Sequence, residues 1–239
     1  MPNNELKKID IPQMLEISDV VQEAKEQKSF FFKHNLQCKP GQFVMVWISG
    51  LDEKPMAVSY WKKNEFAFTS KAIGKFTNSL DKLKKGDKVG IRGTYGSCFS
   101  ARQNSVVVGG GVGMASVSTL IDVLKNPIII NGARSKDYLI YLKRYKNKNM
   151  IAATDDGSFG RKGFTTDILD EVLSNDKKIK IVYTCGQEMM MAGATCVGIG
   201  SGIYYRGIGI FRKVCDEMEQ WMKKNKVKSL NEIRGAGHK

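Results

Sequence analysis

The chain is poor in the residues that most often carry catalysis or hold metals. Of its 239 residues only two are histidine, His34 and His238, so imidazole-centred acid–base chemistry has little material to work with, and both read as surface residues. The five cysteines (Cys38, Cys98, Cys185, Cys196 and Cys215) are odd in number, and no two have C-x-x-C spacing. That argues against a disulfide framework and against a zinc knuckle. No run of eighteen apolar residues occurs, so no transmembrane helix is expected. Met1 to Asp10 is polar and lacks the apolar core of a signal peptide, which reads as cytoplasmic. Acidic residues are also scarce: 24 Asp and Glu stand against 38 Lys and Arg, a formal charge of +14. The basic residues are spread along the chain and are mostly Lys. No Arg-rich stripe or recognition-helix motif stands out, so the excess reads as a solvated surface rather than a nucleic-acid footprint.

What is present falls into three textures. Residues 9–100 are mostly strand-like: Phe43 to Ile48 and Glu65 to Thr69 are short runs of strand composition. Pro40-Gly41, Ser49-Gly50, Gly86-Asp87 and Gly93 punctuate them. This spacing predicts an antiparallel barrel or sandwich, interrupted by one helix over Thr77 to Leu83. From Ser105 apolar strands alternate with helices: Val106 to Val108, Met114 to Leu124, Ile128 to Ile130, Met150 to Ala153, Thr165 to Leu173 and Ile181 to Thr184. Alternation of that kind predicts βαβ units on a parallel sheet. The last fifty residues hold a strand-like Cys196 to Ser201 and an amphipathic helix over Gly207 to Lys224. Expected boundaries are 1–102 for the barrel, 103–190 for the α/β unit and 191–239 for a tail.

Four segments are candidates to carry chemistry, and two of them suit an anionic ligand. The strand before Gly109-Gly110-Gly111-Val112-Gly113 and the helix after it form a recipe for holding a pyrophosphate, because glycines let backbone approach the ligand and a helix start offers free N–H groups. The spacing is not G-x-G-x-x-G, and no acidic residue closes the next strand, so a plain packing turn is the competing reading. Lys71-Ala72-Ile73-Gly74-Lys75-Phe76-Thr77 places a glycine, two lysines and a threonine at a helix start, with simple capping by Thr77 as the rival. Lys54-Pro55-Met56-Ala57-Val58-Ser59 is a proline-stiffened strand, and Arg92 to Phe99 is a loop punctuated by Gly93 and Gly96.

In this order, with Pro40 to Phe43, Asn131 to Arg134, Thr154 to Ser158, Gly160, Gly163 and Thr184-Cys185-Gly186, these segments resemble the ferredoxin–NADP reductase superfamily. Within it the chain is similar, over residues about 5–190, to the electron-transfer subunits of dihydroorotate dehydrogenase. The resemblance implies a Greek-key FAD-binding barrel followed by a nucleotide-binding domain, with a role in pyrimidine biosynthesis. FAD would lie on Lys54, Pro55, Met56, Val58 and Ser59, and its pyrophosphate on Lys71, Gly74, Lys75 and Thr77. Gly96 and Phe99 would complete the flavin site. Gly109, Gly110, Gly111, Gly113, Cys185 and Gly186 would line the site for NAD(H). The protein would orient the cofactor and supply no general base. The implied partner is the catalytic subunit, in an assembly of two copies of each, with no nucleic acid and no membrane. Relatives usually carry Arg where this chain has Lys54, and proline where it has Ser116.

The resemblance breaks after Gly186. Subunits of this kind carry a cysteine cluster for [2Fe–2S], and such a centre needs four converging thiolates. Only Cys196 and Cys215 follow, nineteen residues apart. Residues about 188–235 instead resemble the C-terminal end of the catalytic subunit, as though two partner subunits were joined near Gly186 to Met191. One strand and one helix cannot build a TIM barrel, so no FMN site is expected there. The tail is expected to dock its apolar helix face, Phe211, Val214, Met218 and Trp221, on the nucleotide domain. Two other functions compete with electron transfer to a catalytic subunit. One is a stand-alone NAD(P)H–flavin reductase, and the other a nonenzymatic basic binding module.

Overall fold

The computed structural model describes residues 11–186, 210–224 and 226–227. Two sheets account for most of them. Seven antiparallel strands form the first: β1 (Gln13–Glu16), β2 (Asp19–Ala24), β3 (Gln27–Phe32), β4 (Phe43–Ile48), β5 (Asp52–Lys62), β6 (Glu65–Lys71) and β7 (Lys88–Tyr95). Their spatial order is β1-β7-β4-β5-β6-β3-β2. The edges meet where β1 runs into β2: Ile17 N–H bonds the Asp87 carbonyl and Ser18 N–H bonds that of Phe31, each at 2.8 Å. One continuous stretch thus pairs with both ends of the sheet and curls it into a barrel, which leaves few exposed strand edges. Helix α1 (Lys75–Asp81) lies between β6 and β7.

Aromatic cross-strand pairs fill the barrel. Phe30 sits opposite Phe68 and Phe32 opposite Phe66, with ring centroids 5.5 and 5.1 Å apart. Such pairs are the unit of sheet stabilisation, and these four rings are fully buried. β6 also buries its other face, because Ala67 and Thr69 point at the second unit rather than at water.

The second sheet is parallel: β8 (Ser105–Gly110), β9 (Ile128–Ala133), β10 (Met150–Thr154), β11 (Arg161–Lys162) and β12 (Ile181–Cys185), in the order β11-β10-β9-β8-β12. Helices α2 (Gly113–Val123) and α3 (Thr165–Asn175) link its strands. One apolar cluster, around Met114, Leu120, Ile129 and Tyr145, packs α2 on one sheet face. Another, around Val106, Ile130 and Ile168, packs α3 on the other face. Between β9 and β10 there is no α-helix but a 3-10 turn, Lys136–Tyr138, with further turns after it. α2 packs directly across β5 of the barrel, so one helix contacts both sheets.

Helix α4 (Ile210–Lys224) forms where the amphipathic pattern predicts. The expected docking is not seen for its described side chains: Met218 is 39% and Trp221 49% exposed, and Cys215 is exposed too. An amphipathic stripe specifies that one face prefers cover but does not name the cover. Phe211 and Val214 as side chains, and the strand expected over Cys196 to Ser201, lie outside the described residues. No helix among the described residues is long and apolar enough to cross a membrane.

Candidate functional site

The glycine turn expected to hold a nucleotide is built at the carboxyl edge of the parallel sheet. From β8 the chain moves one way to β9, β10 and β11, while β12 returns on the other side. The gap beyond β8 and β12 is therefore a topological switch point, where open α/β sheets place ligands. Gly109 stands opposite Cys185 in the ladder, so Gly109 to Gly113 and Cys185-Gly186 are neighbours. The glycines have different reasons to be there. A Cβ on Gly109 would stand 2.7 Å from Met114 Cα, and one on Gly113 would collide with the Cys185 carbonyl. Both are needed for helix α2 to approach the sheet. Gly111 has φ +53°, its N–H bonds the Gly132 carbonyl at 2.8 Å, and a Cβ there would meet nothing. The turn faces open space at Gly111, while the Met114 and Ala115 N–H groups at the start of α2 bond the Gly111 and Val112 carbonyls at 3.2 and 3.0 Å. The open side at Gly111 leaves room for a ligand group such as a phosphate.

The barrel offers a shelf beside it. Val44 and Val46 point into the core, so their neighbours Phe43, Met45 and Trp47 face outward. Ladder partners share a face, which adds Ala57, Pro55 and Glu53 from β5 and Tyr95 and Arg92 from β7. The Phe43 and Tyr95 rings lie 5.9 Å apart, and Arg92 holds Glu53 through Nε at 2.7 Å and Nη2 at 2.5 Å. A flat aromatic–apolar surface with Pro55 exposed suits a planar ring system.

The side chains expected on that strand divide. Pro55 faces out, Lys54 reaches Asp52 Oδ2 at 2.6 Å, and Met56 packs partly against the barrel core. Val58 lies in the core, only 1% exposed. Ser59 is equally buried, and its hydroxyl bonds Thr69 Oγ1 at 2.9 Å. Any contact from Val58 or Ser59 to a ligand would therefore be made by backbone. Val58 pairs with Phe68 on the core side, whereas Ser59 lies with Thr69 on the face covered by the second unit, and the bulge between Val58 and Tyr60 sets Ser59 and Tyr60 together opposite Ala67.

At the start of α1 the residues take different places from those predicted. Gly74 is the N-cap and Thr77 is the third helical residue. The Thr77 hydroxyl accepts from Ile73 N–H and Gly74 N–H, both at 3.0 Å, so it reaches back over the turn instead of capping forward. Lys75 is exposed, and Lys71 Nζ stands 5.5 Å from the centre of the Tyr138 ring. Gly96 has φ +84° beside Phe43, and Phe99 reaches the second sheet, its ring 5.7 Å from that of Tyr183.

Between shelf and turn lies a polar knot that sequence reading missed. The Ser59 carbonyl accepts from Ser118 Oγ of α2 at 2.5 Å and from Arg144 Nη1 at 2.9 Å. Arg144 also donates from Nη2 to Asp122 at 2.5 Å and lies 5.0 to 5.5 Å from the rings of Tyr60, Tyr141 and Tyr145. Thr69 Oγ1 meets Ser29 at 2.7 Å and Tyr141 at 2.5 Å, and Ser29 donates to Glu23 Oε1 at 2.7 Å. Burial pushes the Glu23 carboxyl above its ordinary value despite Ser29 and Arg144, and raises the Tyr141 phenol. A lone arginine among lysines gives no sequence signal.

No protein-family model matches the chain. It is 39% identical over 186 residues to the probable dihydroorotate dehydrogenase B (NAD(+)), electron transfer subunit of Methanocaldococcus jannaschii, covering 75% of this chain and 70% of that one. The protein of the same description from Thermoplasma volcanium is 32% identical over 231 residues, covering 92% of this chain and 90% of the relative. That match necessarily runs past Met190 and takes in part of the tail. Among solved structures, the NADH-dependent reduced ferredoxin-NADP oxidoreductase superposes with a TM-score of 0.67 at 29% identity, over 75% of this chain and 70% of that one. Ferredoxin NADP+ reductase from Neisseria gonorrhoeae, solved with FAD and NADP, does so at 0.61 and 15% identity, over 75% and 87%, a likeness of fold alone.

Proposed function

The chain belongs to the family of dihydroorotate dehydrogenase B electron transfer subunits, and from that premise we propose that it passes electrons between a catalytic partner subunit and NAD(H) through FAD. The observation that carries this reading is the adjacency of two surfaces: a glycine turn at the switch point of a parallel sheet, and an aromatic–apolar shelf on the strand that α2 packs against. On this reading the isoalloxazine lies on the outward face of Pro55 and Ala57 with Phe43 and Tyr95 beside it. Lys54, Lys71, Lys75 and the backbone at Gly74 hold its pyrophosphate. The Gly109–Gly113 turn with Cys185-Gly186 holds the nicotinamide nucleotide. Bound FAD supplies the exchange between two-electron and one-electron transfer; the residues here bind, orient and keep water out.

The visible spectrum of the purified protein tests the flavin, and its bleaching by NADH under anaerobic conditions tests the turn. Electron delivery to added catalytic subunit, with a mass for the mixture that fits two copies of each chain, tests the partnership. A colourless protein that takes up no FAD overturns the reading. Bleaching by NADH with no delivery to the catalytic subunit would instead make the chain a stand-alone flavin reductase.

A further inference from the structure

The Ser59 carbonyl is where the two halves of the proposed site are tied together. It belongs to β5, the strand of the flavin shelf, and both its donors come from the second unit. One of them, Ser118, sits on α2, whose first residue, Gly113, closes the nucleotide turn. Ser118 is five positions along the helix from it, a rigid rise of about 7.5 Å. The other donor, Arg144, is clamped by Asp122 of the same helix and by tyrosines from both units. Ser118 and Ser59 are almost fully buried, so water cannot replace the bonds. Leaving that carbonyl unpaired would favour a shift of α2 on β5.

We infer that Arg144 and Ser118 are positioning residues for hydride transfer: by holding the Ser59 carbonyl they fix the spacing between the nicotinamide held at the α2 turn and the flavin held on β5. Neither residue touches the reacting atoms. The inference rests on the function proposed above. Transfer requires reacting atoms at near-attack distance, and a misplacement of about 1 Å can cost about a hundredfold in rate. A loosened latch should therefore slow the transfer while leaving each cofactor's own contacts intact.

The test compares Ser118→Ala, Arg144→Met and Arg144→Lys in the full chain with FAD and NADH. FAD affinity and the NADH concentration at half-saturation should stay within about twofold. The rate of flavin reduction in a single turnover should fall at least about tenfold for Arg144→Met. The long-wavelength charge-transfer absorbance between nicotinamide and flavin should weaken, and Arg144→Lys should recover part of both. In the flavin-free protein, amide hydrogen exchange in the first half of α2 and at Ala57 to Tyr60 should quicken for Ser118→Ala. Unchanged reduction rates and exchange overturn the inference. So does an Arg144→Met protein that fails to fold beside a Ser118→Ala protein with normal rate and exchange, since the contacts would then serve stability alone. A wild-type chain that binds no flavin defeats the proposed function, and the exchange measurement still decides whether the latch couples the two elements.

Discussion

Glu23 shows what burial does to a single residue. It is half-buried on β2, with one carboxylate oxygen accepting from Ser29. Desolvation raises its pKa above the ordinary carboxylate value, and Ser29 and Arg144 only partly offset it. The proton is therefore held more tightly in the folded state than in the unfolded one. Stability linked to this group is fully present below the unfolded pKa and is lost as pH rises through the folded pKa. Glu23→Gln keeps an acceptor for Ser29 and cannot ionise. Its unfolding free energy in urea should match the wild type in acid and exceed it increasingly toward neutral pH. An equal difference at all pH values would refute the assignment. Ser59, three strands away in the sheet, makes the complementary point. A ligand contact was expected of it, but the second unit covers the face it lies on, and its hydroxyl bonds Thr69 instead.

At the scale of elements, the short helix α1 depends on its start. Thr77 ties down Ile73 N–H and Gly74 N–H, two donors that the turn would otherwise leave unpaired. Thr77→Val keeps the shape and removes the acceptor, and should cost about 1 kcal/mol in urea unfolding. Thr77→Ser should restore most of it. Because the same turn is proposed to hold the flavin pyrophosphate, Thr77→Val should also weaken FAD binding several-fold in a fluorescence titration. A glycine and a threonine three residues apart were legible as a helix start; which of them caps was not. The sequence pattern marks a helix start to within a turn, while the cap is settled by backbone geometry at Gly74. Helix α4 was legible in the same way. The exposure of Met218 and Trp221 was not, because amphipathicity reports a face and not what lies against it.

For the whole molecule the relevant quantity is the charge of +14. A basic protein attracts polyanions over roughly 8–10 Å at moderate salt, and added salt screens the attraction. The rate of flavin reduction at NADH concentrations well below saturation should fall as sodium chloride is raised, while the saturated rate changes little. Equal rates across salt would mean that the lysines act only as a solvated surface. The order of elements was open to sequence reading, because strand length, glycine punctuation and the switch from all-strand to strand–helix alternation are local properties. So was the glycine turn after β8, since glycines are forced wherever helix and sheet approach within a methyl's width. Closure of the barrel by the β1–β2 corner, the burial of Ser59 against Thr69, and the meeting of Ser59, Ser118 and Arg144 were decided only by the tertiary structure. Each of these depends on contacts between residues far apart in the chain, which local pattern does not record. The chain alone determined that a proline-stiffened strand and a glycine turn would form; the packing of α2 on β5 decided how the two units meet.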